Sequence, residues 1–491
     1  MSEDQTEQRK AKLRALREAG VEPYAYSFQA THSCADVIKG ALELEGAASG
    51  VSVRGRLMSM RGHGKAAFAH IADRSGRLQI YLKQDVLGEE AYALTRLLDV
   101  GDFVGAEGTV FRTRTGETTL AVGALSVLAK TLRPLPEKWH GLRDVELRAR
   151  QRYLDLIANE SALRTAETRS LLVRSVREFL DGEGYMEVET PVLQPIYGGA
   201  FARPFSTFHS AMDEKLYLRI SNELYLKRLI VGGLERVYEI GKDFRNEGMD
   251  RLHNPEFTQV EFYEAYADYY RMMDLVERLV CHVVRRVKGG LALVFAGESI
   301  DFTPPWRRLD MTEAVSAACG EDVLGHSVDD LKRICRERGL EYREPAVRAR
   351  LLEVLFDGLV QESLVQPTFV LGYPRELSPL AKAKRGDPKA VERFEPFAAR
   401  MELGNAFSEQ NDPREQLEAF ESQAELRREG DLEAQVMDMD YVHALEHGMP
   451  PTGGVGLGID RLAMLLTDSK NIRDVILFPH MRALPPGETS G

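Results

Sequence analysis

Phe244-Arg245-Asn246-Glu247-Gly248 leads through His253-Asn254-Pro255-Glu256-Phe257 into Glu261-Phe262-Tyr263. An arginine opens a polar, glycine-containing loop, and an alternating strand follows. On that strand Phe257, Gln259, Glu261 and Tyr263 fall on one face, and Thr258, Val260 and Phe262 on the other. The second face reads as core. The first sets an aromatic ring, an amide, a carboxylate and a phenol side by side, which suits burial only if a ligand pairs them. An arginine just ahead of the loop suits a phosphate or carboxylate, which its planar fork meets bidentately. One stretch thus offers a place for an anion and a place for a cation.

Upstream of it, a charged helical segment from Glu3 to Glu18 stops at Gly20 and Pro23. Short alternating strands follow at Val51–Arg61, Ala66–Ala72 and Arg77–Lys83, then a helix-like run at Val86–Leu98 and strands at Phe103–Arg114 and Thr118–Leu128. Five strands with a helix between the third and fourth fit a small closed barrel of the oligonucleotide-binding (OB) type, and a plain structural barrel fits the same pattern. Leu132–Leu142, with Pro134 and Pro136, reads as a linker, and a polar helix from about Asp144 to Ala158 bridges onward. The domains expected are residues 1–45, an N-terminal helical extension; 46–135, the barrel; 136–160, linker and bridging helix; and 161–491, the large domain. In the last, Leu163–Leu180 is an amphipathic helix, Tyr185–Glu189 a strand and Glu223–Val231 a helix. Later strands at Thr368–Leu371, Arg393–Ala398 and Met401–Ser408 pair locally instead of alternating with helices. The fold class is therefore α+β, with a mainly antiparallel sheet flanked by helices.

Two further constellations carry chemistry. Glu395 and Glu402 lie on either side of a turn expected near Ala398–Arg400, so a hairpin brings their carboxylates together. Such a pair suits Mg²⁺ bridging phosphates, although either glutamate could instead pair with Arg393 or Arg400. Asn405, Phe407 and Glu409 share a face by period two and Glu402 does not, so the strand bulges near Gly404 or Glu402 faces elsewhere. Glu409 suits a cationic ligand or, read alone, a cap for the following turn. The glycines Gly453, Gly454, Gly456 and Gly458 run into Ile459-Asp460-Arg461 at the start of an apolar helix. There a ligand can approach closely, and the helix N-terminus favours anions. Neither GxxxxGK[ST] nor a GxGxxG opening a βαβ unit occurs, so a nucleotide must be held by other means.

Composition narrows the class. Apolar residues make up 44% and charged residues 29% of 491 positions, as in a soluble, multi-domain globular protein. No apolar run approaches the ~20 residues that cross a membrane. The charged start lacks a signal-peptide core, so a cytoplasmic location is expected. Cys34, Cys281, Cys319 and Cys335 are far apart and form no CxxC pair, which makes a zinc site improbable. Residues 51–150 carry 16 Lys/Arg against 11 Asp/Glu within a chain of net charge −12. A mildly basic module on an acidic body could hold nucleic acid, but charge alone does not decide it.

Taken together, these residues resemble the three signature motifs of class II aminoacyl-tRNA synthetases, and most nearly the bacterial-type lysyl-tRNA synthetases. Gly184-Tyr185-Met186-Glu187-Val188-Glu189-Thr190-Pro191 resembles motif 1, the opening stretch motif 2, and Gly456–Arg461 motif 3. The likeness runs from about Val51 to Pro479. It implies ATP-dependent activation of L-lysine to lysyl-adenylate and transfer to the 3′-terminal adenosine of tRNA(Lys), with Mg²⁺ as cofactor and a homodimer formed through motif 1. By the same resemblance Arg245 and Arg461 are catalytic, and Arg245, Glu247, His253, Phe257 and Arg461 bind ATP. Gly199, Glu223, Glu261, Tyr263, Asn405 and Glu409 bind lysine, and Glu395 and Glu402 bind the metal. Arg61, Phe68, Gln79 and Glu117 of the barrel read the anticodon. The sequence departs from common members at Met401 and Ser221-Asn222, beside the pocket. Two alternatives are a relative that transfers lysine to a protein and a non-catalytic RNA-binding relative. The barrel argues against the first, and intact Arg245, Arg461, Glu395 and Glu402 argue against the second.

Overall fold

The computed structural model describes residues 2–45, 50–136, 142–343, 346–428 and 434–483. The chain forms two compact units, Met1–Leu142 and Arg143–Gly491. The expected boundary at residue 46, residues 137–141 of the expected linker and residues 484–491 of the expected large domain lie outside the described residues.

The first unit is a closed barrel of Val51–His63, Ala66–Asp73, Gly76–Lys83, Phe103–Arg112 and Thr118–Ala129, ordered first, second, third, fifth, fourth. Alternation drives it: Ala67, Ala69 and Ile71 point inward with Leu78, Ile80 and Leu82, while Phe68 points out. Asp73 fixes the second turn by accepting from the N–H groups of Ser75 and Gly76 at 2.8 and 3.1 Å. A Cβ at Gly108 would stand 1.8 Å from the Ala121 carbonyl oxygen, so only glycine lets the fourth strand meet the fifth there. The N-terminal helix, Ser2–Glu18, is tied to this barrel. Leu16 is fully buried in the barrel cluster, and Arg9 donates to the carbonyls of Val100, Thr131 and Arg133.

The second unit is built on a nine-stranded sheet. Its main path runs Arg307–Asp310, Thr368–Leu371, Arg393–Ala398, Gly404–Ser408, Thr452–Gly458, Glu256–Ala265, Arg236–Phe244 and Met186–Glu187. Parallel pairs occur at the two ends, and every pair between them is antiparallel. Val260, Phe262, Val455 and Leu457 face a core formed with the helices Glu160–Gly182, Tyr269–Lys288 and Ile459–Thr467. The long helix at Tyr269 starts where the Asp268 side chain accepts from the N–H groups of Tyr270 and Arg271, and it stops at Gly289 in the left-handed region. The opposite face carries Glu261 and Tyr263 and is partly covered by the helices Glu223–Val231 and Met439–Glu446.

Local differences from the sequence reading have physical causes. The bridging helix is two pieces, Val145–Arg150 and Arg152–Ala158, broken at Gln151. Arg152 turns inward at the break, paired with Asp155 at 2.5 Å and donating to the carbonyls of Arg473, Ile476 and Leu477. The strand expected at Met401–Ser408 is interrupted at Leu403. Phe397 pairs with Glu402 and Arg393 with Phe407, a register slip of one residue. Leu403 is therefore the extra residue of a bulge, which turns Glu402 onto the face of Asn405, Phe407 and Glu409.

Candidate functional site

The glycine strand Thr452–Gly458 lies in the middle of the site. Gly454 stands between Tyr263 and Phe407, and Gly456 between Glu261 and Asn405, in the pairing register. A Cβ at Gly454 would meet Glu409 Oε1 at 2.0 Å and the Tyr263 ring at 2.4 Å. At Gly456 nothing lies nearer than 3.7 Å, so its missing side chain leaves open volume. The glycines floor a cavity of about 250 Å³. Its walls include Gly199, Glu223, Arg245, Glu247, His253, Phe257, Glu261, Tyr263, Glu402, Asn405, Glu409 and Arg461, so most of the expected catalytic-domain residues meet in one place. Glu395 does not line it. That residue sits alongside, with Arg393 at 2.5 Å and the Tyr373 hydroxyl at 2.6 Å. Arg393 also donates to Asn405 Oδ1 at 2.9 Å, linking the carboxylate to the cavity wall.

One end of the cavity is acidic. Glu261 Oε1 accepts from Gln259 Nε2 at 2.5 Å, Ser221 Oγ at 2.8 Å and the Asn222 N–H at 3.2 Å. Its Oε2 accepts from the Tyr263 hydroxyl at 3.2 Å. Burial, then the charges of Asp243 and Glu223, push the Glu261 carboxyl up to about 8. Burial also raises Glu223 and Glu409, against the pull of Lys227. Behind them Arg219, buried, holds Glu239 at 2.6 Å and Asp243 at 3.2 Å. With Lys227 as the buried cation beside Glu223 and Glu409, ionising Glu261 as well leaves a surplus of negative charge, which a retained proton relieves in the empty site and a cationic ligand relieves in its place.

The other end is cationic. Arg245 lies with its guanidinium carbon 5.0 Å from the centre of the Phe257 ring, and its buried Nε has no hydrogen-bond partner. Arg461, three residues into its helix, donates to the Glu402 carbonyl at 2.6 Å and contacts Glu402 Oε2 and His253 Nε2 at 3.1 Å. His253 is steadied by Asp250 at 2.8 Å. Asp460 anchors the helix start, accepting from the Thr258 N–H at 2.7 Å and pairing with Arg169 at 2.5 Å. Glu395 and Glu402 share a face across the hairpin turn at Ala399–Arg400, both left-handed. Burial, and beyond it the Glu402 charge, lift the Glu395 carboxyl to about 7 against the pull of Arg393.

The barrel presents a separate cluster. Phe68 is 41% exposed with its ring centre 4.6 Å from that of Tyr81, and Arg61 is its cross-strand partner. Gln79 donates to Glu117 Oε2 at 2.8 Å, and His70 Nε2 lies 3.1 Å from Glu117 Oε1. A stacking platform flanked by hydrogen-bonding groups suits unpaired bases.

Several participants escaped the sequence reading. Lys227 lies one helical turn beyond Glu223 and reads as an ordinary i,i+4 surface pair, yet it is fully buried. Ser221, which the sequence places only beside the pocket, donates directly to Glu261. Tyr81 and His70 join the barrel cluster through strand pairing that no local pattern reveals.

Comparison with known proteins identifies the family. Residues 144–482 match the family of class II tRNA synthetases (D, K and N), and residues 51–134 match the OB-fold nucleic acid binding domain. The chain is 52% identical over 472 residues to the lysine–tRNA ligase of Moorella thermoacetica, covering 96% of both chains. It is 52% identical over 472 residues to that of Syntrophomonas wolfei, covering 96% of this chain and 95% of the relative. With the Bacillus cytotoxicus enzyme it shares 49% identity over 485 residues, 98% and 97% of the two chains. A carboxylate pocket and an arginine pair around one glycine-floored cavity, with an OB-fold ahead of them, place the chain in the lysine–tRNA ligase family of class II tRNA synthetases.

Proposed function

We propose that the chain activates L-lysine with ATP and transfers it to the 3′-terminal adenosine of tRNA(Lys), and that both steps take place in the glycine-floored cavity. The observation that carries this is the cavity's polarity, with buried carboxylates at one end and two arginines at the other. Lysine brings an ammonium at each end of an apolar stem and a carboxylate beside one of them. Glu223 and the Gly199 carbonyl receive the α-ammonium, and Glu261, Tyr263 and Glu409 the ε-ammonium. Asn405 and Arg245 hold the carboxylate.

In the first step a lysine carboxylate oxygen attacks the α-phosphorus of ATP in line and pyrophosphate leaves. Arg245, whose buried Nε lacks a partner, neutralises the α-phosphate as charge builds on its oxygens. Arg461 meets the γ-phosphate end, and Phe257 stacks on adenine with Glu247 and His253 nearby. In the second step the ribose 3′-hydroxyl attacks the lysyl carbonyl carbon and AMP leaves. Positioning and charge neutralisation supply the rate, and no protein nucleophile is needed.

Glu395 and Glu402 fit a divalent ion. They are oxygen donors on one face, and burial with mutual repulsion lifts Glu395, a penalty that a cation relieves. Among the described residues no cluster of three or more metal-ligating side chains occurs, so a Mg²⁺ held by Glu395 and Glu402 would draw its remaining ligands from phosphate oxygens and water. When bound there, Mg²⁺ draws charge from the phosphates.

Arg61, Phe68, Gln79 and Glu117 read the anticodon, the ring stacking on a base. A homodimer is supported by apolar side chains left exposed near motif 1, among them Met186, Leu193 and Phe208. A cytoplasmic setting is supported by four cysteines that are free and buried. Among the described residues no helix is long and apolar enough to cross a membrane. Charging of a tRNA(Lys) transcript with radiolabelled lysine and Mg-ATP tests the proposal directly. Label on the tRNA is expected, and lysine-dependent pyrophosphate exchange without tRNA labelling would overturn it.

A further inference from the structure

Lys227 has no role in the scheme above, yet it occupies the centre of the acidic end. Its Nζ is 2.5 Å from Glu223 Oε1 and in closer contact with Glu409 Oε2, with the Phe407 ring centre 5.4 Å away. The side chain is fully inaccessible to solvent, and burial that would strip its proton is outweighed by the charges of Glu223 and Glu409. A permanent cation therefore ties together the two carboxylates that the proposed function assigns to opposite ends of the substrate. Glu409 Oε1 is left buried and without a hydrogen-bond partner, on the side of Gly454 that floors the cavity.

We propose that Lys227 is a positioning residue that sets the distance between the α-ammonium site at Glu223 and the side-chain ammonium site at Glu409, and thereby selects the length of the substrate's stem. Two contacts to one nitrogen allow the carboxylates little independent movement. Glu223 and Glu409 thus turn as a unit, each keeping one oxygen for Lys227 and offering the other to the ligand. Lys227 also balances charge. With Glu223, Glu261 and Glu409 ionised around Lys227, the surplus equals the two ammonium charges of lysine. Without Lys227 one buried carboxylate would face no cation, even in the complex.

This inference rests on the lysine pocket proposed above, so its test carries a control for that pocket. The full-length protein is assayed by ATP–pyrophosphate exchange with lysine and with ornithine, which is one methylene shorter. Lys227→Met is expected to raise the lysine KM by about 10-fold or more and to narrow the lysine-over-ornithine preference by a similar factor, with the ATP KM unchanged. Its lysine kcat/KM should also need a higher pH than the parent, because the freed carboxylates hold their protons more tightly. A folded Lys227→Met with unchanged lysine KM, preference and pH profile overturns the proposal, and so does an equal loss of lysine and ATP binding. If Lys227→Met fails to unfold cooperatively, Lys227→Arg takes its place. Its wider head keeps the charge while spreading the carboxylates, so an unchanged preference there counts against the proposal and a shifted one supports it. Glu409→Gln separates the two ideas. An unchanged lysine KM in that variant removes the pocket itself, whereas a raised KM beside a silent Lys227→Met removes only the role of Lys227.

Discussion

Glu261 and Asn405 face one another across Gly456, each paired with it in the sheet register from opposite sides. The gap between them is a missing side chain, because a Cβ at Gly456 would touch no protein atom nearer than 3.7 Å. Gly456→Ala is therefore expected to fold normally, with an unfolding midpoint within about 2 °C of the parent, since alanine in a strand offsets any small strain. The added methyl occupies space proposed for the substrate stem, and the lysine KM should rise by about 10²-fold. Calorimetry and pyrophosphate exchange on one preparation check both halves.

Glu409 offers the most direct test of the lysine pocket. Its carboxyl is fully buried, and burial raises it against the pull of Lys227, whose charge it shares with Glu223. Replacement by glutamine keeps the volume and removes the acceptor for a cation. Lysine activation should fall by about 10²–10³-fold while the ATP KM holds, and the unfolding midpoint should drop because buried Lys227 keeps only Glu223 as a charged partner. Unchanged lysine-dependent exchange would count directly against the pocket assignment.

The acidic end also predicts a pH signature. Glu261 lies near 8 in the folded protein against an ordinary 4.5, because it is buried beside Asp243 and Glu223. Between those values the folded state keeps a proton that the unfolded state has lost, so this group's contribution to stability declines as pH rises from 4.5 to about 8. A lysine ammonium reverses the preference and drives Glu261 to ionise. Lysine binding at pH 7 should thus release close to one proton per site, read as a calorimetric enthalpy that varies with buffer ionisation heat, and the release should fade above about pH 9. Ser221→Ala removes a 2.8 Å donor to the ionised form. That variant should need a higher pH for half-maximal lysine kcat/KM.

The strand alternation, the barrel and the antiparallel sheet were legible because each rests on local periodicity. Glu261 and Tyr263 are buried on the predicted face, and Val260 and Phe262 on the opposite one. What local pattern could not supply was register. Period two sets Glu402 apart from Asn405, and only the bulge at Leu403 reunites them, a consequence of how two hairpins share one strand. Glu409 alone fits a turn cap as well as a ligand site, and its burial against Lys227 depends on a helix nearly two hundred positions earlier. Lys227 itself was hidden by resemblance to a solvated Glu–Lys pair, since spacing tells which residues meet and not whether water reaches them.

The barrel gives a prediction independent of the catalytic cavity. Phe68 leaves an aromatic ring in solvent beside Tyr81, flanked by Arg61 and by the Gln79–Glu117 pair. If a base of the tRNA stacks there, Phe68→Ala forfeits about 1–3 kcal/mol of stacking and should raise the KM for tRNA by about 10-fold or more. Lysine-dependent pyrophosphate exchange without tRNA should be unchanged, because the ring takes no part in the adenylate step. Phe68 packs outside the barrel core, so thermal stability should shift little. A tRNA KM equal to that of the parent, with exchange intact, would reduce Phe68 to an exposed strand residue and move the anticodon contact to another face of the barrel.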